Sequence, residues 1–84
     1  MAMRCTAVIH LRRRPTDPEV EVIEHALGEM SGILEVTVEP AEVMVTVAYD
    51  RDIAGLSDIV RIIEDASCPV IGVAQRRDDE AMAG

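Results

Sequence analysis

The chain has 84 residues, 49% of them hydrophobic, and a formal net charge of -8 with a pI near 4.5. This length suffices for one small domain with one modest core, and a single Tyr with no Phe or Trp makes that core aliphatic. The acidic balance and the scarcity of aromatic rings argue against nucleic acid as a partner, because phosphates repel the chain and bases find no stacking surface.

The first half of the chain predicts a strand, a helix and a strand. Residues 5–11 alternate between two faces, with Cys, Ala, Ile and Leu on one of them, as in a half-buried strand. Thr16 and Glu19 have the spacing of a helix start, so we predict a helix over residues 17–30. Residues 33–39 return to a period of two and predict the second strand.

The second half predicts a hairpin partner, a helix and a last strand. Residues 40–42 form a tight turn, and residues 43–49 are predicted to pair back as the third strand. Ser57 and Asp58 are typical helix caps, so the second helix is predicted to begin there and to run to about residue 66. Residues 68–74 predict the fourth strand.

The order βαββαβ is that of a ferredoxin-like α+β open-faced sandwich. We expect four antiparallel strands in the order 4-1-3-2, with two helices on one face. Because the fourth strand then lies antiparallel to the first, Cys68 is expected beside the loop of residues 12–16. We assign residues 4–75 to this domain and residues 76–84, which are charged and then small, to a disordered C-terminal tail.

Three stretches of the chain carry a family pattern: IEHALGEMSGILEVTVEP at residues 23–40, VTVAYD at residues 45–50 and IEDASCPV at residues 63–70. They resemble the heavy-metal-associated domain of copper chaperones and of heavy-metal-transporting P-type ATPases, in which the last stretch usually looks like IEDAGYPV. The likeness covers residues 6–73 without a gap. The resemblance implies the open-faced sandwich and a role in handling soft metal ions.

The metal-binding motif of that family is absent. Its members carry Met-x-Cys-x-x-Cys before the first helix, and the flanking register places Arg14 at the Met, Thr16 at the first Cys and Glu19 at the second. A hydroxyl and a carboxylate are hard, weak ligands for the monovalent copper that thiolates select. A cation would also be repelled by the positive charges of Arg12, Arg13 and Arg14. We therefore do not carry over the metal function of the family.

The loop before the first helix permits two interpretations. Thr16 and Glu19 have the spacing of a capping box, and we predict that structural role for them rather than metal ligation. Arg12, Arg13 and Arg14 precede a helix N-terminus, where free N–H groups and the helix dipole favour an anion. They either bind an oxyanion, a carboxylate or a partner protein, or form a solvated loop that pairs with Glu residues of the same domain.

Cys68 is the one soft ligand expected near this loop. It binds a metal ion such as copper or zinc, or it is a thiol activated by the arginines, or it is a small packed residue. Cys5 lies about 20 Å away at ~3.3 Å per strand residue, too far for the ~7 Å that a disulfide spans. Two unpaired thiols fit a reducing compartment. With no secretory leader and no apolar run near ~20 residues, we expect a cytoplasmic protein without a membrane partner.

The remaining candidates for chemistry are few. His10 and His25 are predicted to be surface or boundary residues with no thiol or carboxylate fixed beside them. The sequence has no Ser-His-Asp set, glycine-rich phosphate loop or convergent carboxylate pair, so we predict no enzyme.

We therefore predict a non-enzymatic binding or adaptor domain that docks a protein partner through residues 12–19 and Cys68. The resemblance implies a domain of a metal-transport ATPase as that partner. The alternative is residual binding of a soft metal or an oxyanion through Cys68 and the arginine loop. A further hypothesis is weak homo-oligomerisation through the edge strand of residues 33–39, with Val8 and Val43 on the outward face.

Overall fold

Four strands and two α-helices form the described part of the chain, residues 3–77, in a computed structural model. The elements in chain order are β1 Arg4–Leu11, α1 Asp17–Gly28, β2 Ile33–Glu39, a short 3-10 helix Pro40–Glu42, β3 Met44–Asp50, α2 Leu56–Asp65 and β4 Val70–Arg77. The strands form one antiparallel sheet in the order β2-β3-β1-β4. This is the predicted order 4-1-3-2 seen from the other edge, so the ferredoxin-like α+β fold is confirmed.

The core lies between one face of the sheet and the two helices. Alternate residues of β1 and β3 supply its sheet side, and residues spaced four apart on each helix supply the other side. Its fully buried members from these elements are Cys5, Ala7, Ile9, Ile23, Leu27, Val45, Val47, Tyr49, Ile59 and Ile63. Within residues 3–77 no helix is long and apolar enough to cross a lipid bilayer.

β4 is longer than predicted at its C-terminal end. Its ladder with β1 continues to the pairs of Ala7 with Gln75 and of Cys5 with Arg77. The side-chain amide of Gln75 also donates a hydrogen bond to the buried hydroxyl of Tyr49. The assignment of residues 76 and 77 to a disordered tail is therefore wrong, because β1 offers them backbone partners. The rest of the predicted tail, residues 78–84, lies outside the described residues.

The start of α2 also differs from the prediction. The helix begins at Leu56 with Gly55 as its N-cap, and no side chain forms a capping hydrogen bond. The Gly55 carbonyl instead accepts from the amides of Asp58 (3.1 Å) and Ile59 (3.2 Å). Ser57 and Asp58 thus lie in the first turn, where the negative charge of the Asp58 carboxylate interacts favourably with the positive end of the helix dipole.

Val43 does not lie on the outward face of the sheet, as the self-association hypothesis assumed. It has a left-handed backbone (φ 55°) at the end of the 3-10 helix, and its side chain packs against the core. Side chains of a strand alternate between its two faces. Counting by twos along the chain puts Val43 on the inward side with Val45 and Val47, whereas Met44 and Thr46 fall on the outward side.

Gly32, in the connection from α1 to β2, tests how closely this region is packed. Its φ is 91°, and a Cβ built there would lie 2.9 Å from the Ile53 Cβ. We expect Gly32→Ala to lower the free energy of unfolding by about 1–3 kcal/mol through backbone strain and this clash. Urea denaturation of the variant and the parent protein measures the difference.

Gly72 of β4 provides the matched control for that substitution. A Cβ there would meet no atom within 4 Å and its φ is not in the left-handed region, so Gly72→Ala should be neutral or stabilising by up to about 1 kcal/mol. Equal effects of the two substitutions would contradict this account of Gly32.

Candidate functional site

The loop between β1 and α1 ends in a complete capping box. The Thr16 backbone is extended, its Oγ1 accepts from the Glu19 amide (3.4 Å), and Glu19 Oε1 accepts from the Thr16 amide (2.9 Å). These two bonds satisfy N–H groups that the first turn of a helix leaves free. The predicted structural role of Thr16 and Glu19 is confirmed.

The same Glu19 carboxylate also holds Arg13. The Arg13 guanidinium donates from Nη1 to Glu19 Oε1 at 2.8 Å and from Nη2 to Oε2 at 2.7 Å. The Glu19 side chain is only 17% exposed, whereas that of Arg13 is 46% exposed. Both oxygens of Glu19 are therefore occupied, and the positive charge of Arg13 is locally compensated.

Arg13 makes a third contact, with the turn between α2 and β4. Its Nη2 donates to the Ser67 carbonyl at 2.6 Å, across 54 positions of sequence. Beside it, the Arg12 amide donates to the Pro69 carbonyl at 2.9 Å. The predicted closeness of Cys68 to the loop is thereby confirmed, because Cys68 lies between the two acceptor residues.

Cys68 is a packed residue in this turn. It is 1% exposed, and its Sγ lies 3.8 Å from the Ala66 carbonyl oxygen, to which it donates weakly. Burial raises the pKa of the Cys68 thiol, the Glu19 carboxylate raises it further, and Arg13 opposes both. The lowered pKa expected from a neighbouring arginine cluster is not found, because desolvation outweighs the guanidinium. A protonated thiol is a poor nucleophile and a poor metal ligand.

Arg12 and Arg14 differ from Arg13. Both are exposed, and within residues 3–77 neither guanidinium forms an ion pair with a carboxylate. The loop thus presents two positive charges on a chain whose formal net charge is -8. The alternative in which the loop pairs with Glu of its own domain holds for Arg13 and not for its two neighbours.

The described residues hold no group of three or more His, Cys, Asp or Glu that could bind a metal ion together. Both cysteines are free thiols, and Cys5 pairs with Tyr49 at the end of β1 remote from the loop. His10 and His25 are exposed as predicted. The expectation that no carboxylate lies beside His25 is wrong, since its Nε2 is 2.6 Å from Glu29 Oε1 one helical turn later.

Comparison with known protein families shows which family the chain belongs to. The model of the heavy-metal-associated domain matches residues 19–68, which is more than half of the sequence. The chain belongs to the heavy-metal-associated domain family. The match begins at Glu19, so the loop with its three arginines lies outside the region that the family model covers.

Solved structures with the same fold include metal-handling proteins. A candidate copper-ion-binding protein from Bacillus anthracis str. Ames superimposes with a TM-score of 0.77 at 28% identity, over 84% of this chain and 100% of that one. The CopZ metallochaperone gives 0.73 at 21% identity over 79% and 98% of the two chains. A copper-binding domain of a P-type ATPase gives 0.73 at 21% identity over 90% and 99%.

The last two likenesses show the shared fold alone, because their identities are low. Among curated protein sequences, none matches the chain. Membership in the family relates this heavy-metal-associated domain to proteins of metal transport and copper binding.

The ion pair of Arg13 can be tested through the titration of Glu19. Hydrogen bonds from Arg13 and from the Thr16 backbone lower the pKa of Glu19 from its ordinary 4.5 to about 2. We expect Arg13→Ala to move the Glu19 midpoint upward, to a value between these two, in a carboxyl NMR titration. Arg14→Ala removes a neighbouring guanidinium without touching Glu19 and should leave the midpoint unchanged.

The sign of the pH dependence follows from the same shift. A carboxylate whose pKa is lower in the folded than in the unfolded protein stabilises the fold fully above the unfolded value, and this contribution is lost as pH falls. For Glu19 the loss falls between about pH 4.5 and pH 2. A Glu19 midpoint that is the same with and without Arg13 would contradict the ion pair.

Proposed function

We propose that this heavy-metal-associated domain is a non-enzymatic adaptor that has lost the thiolate metal site and docks a protein partner through its β1–α1 loop. The observation that carries the proposal is that the side chains at the two expected metal-ligand positions already form hydrogen bonds within the chain. The register of the flanking sequence assigns Thr16 and Glu19 to the positions of the family's cysteines. In the structure their side chains form the capping box, and Glu19 also binds Arg13.

The surroundings of these positions also disfavour a cation. Thr and Glu oxygens are hard ligands that do not compete for monovalent copper, and three guanidinium groups lie in the same loop. Cys68, the remaining soft ligand, is buried with a raised thiol pKa. Metal binding at this loop would have to break an ion pair and to deprotonate a buried thiol.

The loop is suited to an acidic protein surface. Arg12 and Arg14 are exposed and offer two guanidinium forks that bind carboxylates in a defined geometry. Charge complementarity at such a face speeds association and selects among partners. We propose a domain of a metal-transport ATPase as the partner, because membership in the heavy-metal-associated domain family relates this chain to proteins of metal transport. Two unpaired thiols support a cytoplasmic setting.

The alternative function is residual binding of copper or zinc by Cys68, or of an oxyanion by Arg12 and Arg14. The observation in its favour is that Arg13 joins the Glu19 carboxylate to the Ser67 carbonyl, next to Cys68 in sequence. Two ligands without a third make a weak site, because structural zinc takes four.

The proposal predicts that the reduced protein binds neither monovalent copper nor zinc beyond nonspecific background. An anaerobic titration against a chelator of known affinity, followed by amide NMR shifts, measures this. Shifts confined to residues 12–19 and Cys68, and abolished by Cys68→Ser, would overturn the proposal in favour of a surviving metal role. A parallel titration with inorganic phosphate tests the oxyanion alternative, with Arg12→Ala and Arg14→Ala as the variants that should abolish it.

A double variant provides the positive control for that titration. Thr16→Cys with Glu19→Cys restores Cys-x-x-Cys at the positions that the family pattern assigns, and removes the partner of Arg13. We expect this variant to bind copper much more tightly than the parent protein, since thiolates select the monovalent ion. Equal binding by both proteins would show that the side chains at these positions do not decide metal affinity.

Self-association through the β2 edge remains a prediction. The register of β2 on β3 shifts between Ile33 and Glu35. An irregularity of this kind interrupts the flat edge that a second copy would need. We expect a monomer at micromolar concentration and only weak association above it, measured by sedimentation velocity over a concentration series. A stable dimer at micromolar concentration would contradict this expectation.

A further inference from the structure

We infer that Arg13 is a positioning residue, which ties the β1–α1 loop to the α2–β4 turn and so presents Arg12 and Arg14 in a fixed geometry without a bound ion. The inference rests on the proposed function only in assuming that Arg12 and Arg14 are presented to a protein partner. The tie itself is argued from contacts within the chain.

The first anchor of the tie is the Glu19 carboxylate. It accepts a hydrogen bond from each of the two Nη atoms of Arg13, in the paired arrangement that the planar guanidinium favours. The Thr16 amide bonds the same carboxylate, so Glu19 is oriented by the helix cap before Arg13 reaches it. A preoriented acceptor lowers the entropy cost that usually makes an exposed ion pair weak.

The second anchor is the Ser67 carbonyl. Ser67 has a left-handed backbone (φ 69°), which is unfavourable for a residue with a Cβ. The turn is held by hydrogen bonds from the Ser67 amide to the Glu64 carbonyl (3.0 Å) and from the Cys68 amide to the Ile63 carbonyl (3.3 Å). The last turn of α2 therefore fixes the direction of the carbonyl that Arg13 meets.

The loop is also fixed on both sides of Arg13. The Arg12 amide bonds the Pro69 carbonyl, and Pro15 is buried. Arg14 is thus confined between a tied residue and a buried one, and Arg12 is confined by its own amide. With the charge of Arg13 compensated by Glu19, the two arginines of the loop whose charges no carboxylate of residues 3–77 compensates are Arg12 and Arg14.

Amide hydrogen exchange of the labelled protein tests the tie. The Arg12 amide reports the contact of the loop with the turn, the Thr16 amide reports the capping box, and the core amide of Val47 serves as reference. Exchange at Val47 reports global unfolding of the core, so it distinguishes a global loss of stability from a local opening at Arg12. In Arg13→Ala we expect the Arg12 amide to exchange roughly two- to fivefold faster relative to Val47, the range for an exposed ion pair.

Two further variants separate the fork from the charge and from the cap. Arg13→Lys keeps the charge but cannot reach Glu19 and the Ser67 carbonyl with one planar group, so it should resemble Arg13→Ala. Glu19→Gln keeps a side chain that completes a capping box. In that variant we expect the Thr16 ratio to stay near that of the parent protein while the Arg12 ratio rises. Arg14→Ala is the control that should change neither ratio.

An unchanged Arg12 ratio in Arg13→Ala would overturn the inference, and so would parent-like behaviour of Arg13→Lys. These outcomes are independent of the titration under the proposed function. Tight copper binding would remove the adaptor proposal and leave the exchange rates of the metal-free protein as they are. Loss of the tie would leave Arg12 and Arg14 as docking residues on a loop that Arg13 does not order.

Discussion

The central position of β1 in the sheet is the constraint on which the site depends. β1 is hydrogen-bonded on both sides, to β3 and to β4, and its buried residues anchor it against both helices. Its last residue, Leu11, pairs with Val70 at the start of β4. The chain that leaves β1 must therefore pass the turn that enters β4, and this places the arginine loop next to Ser67 and Cys68 whatever their side chains are.

The parts of this arrangement that depend on local pattern could be predicted from the sequence. The alternation of β1 and the capping box of Thr16 and Glu19 each rest on residues within a few positions of one another. For Arg13 the sequence indicated only a possible pairing with an unspecified Glu of the same domain. It could not single out Glu19, which is not at a helical spacing, or the Ser67 carbonyl, which lies 54 positions away. The start of α2 differs from the prediction because its N-cap, Gly55, has no side chain, and the Asp58 amide that a side-chain cap would satisfy bonds the Gly55 carbonyl instead.

The three arginines illustrate how neighbouring identical residues acquire different roles. They are consecutive in sequence, and composition alone predicts the same role for all three, as parts of a basic loop on an acidic chain. The structure divides them: Arg13 bonds a carboxylate and a distant carbonyl, while Arg12 and Arg14 form no ion pair with a carboxylate of residues 3–77. The division follows from direction, since only the middle side chain meets both a carboxylate and a carbonyl.

Tyr49 has a practical consequence for work on this protein. It is the single aromatic side chain of a sequence without Trp or Phe, and it is buried beside Cys5, at the opposite end of β1 from the arginine loop. Its near-ultraviolet signal therefore reports the packing of the core and is remote from events at the loop. An unchanged tyrosine spectrum on adding a partner would carry no information about docking, whereas a changed one would indicate that the core itself had been disturbed.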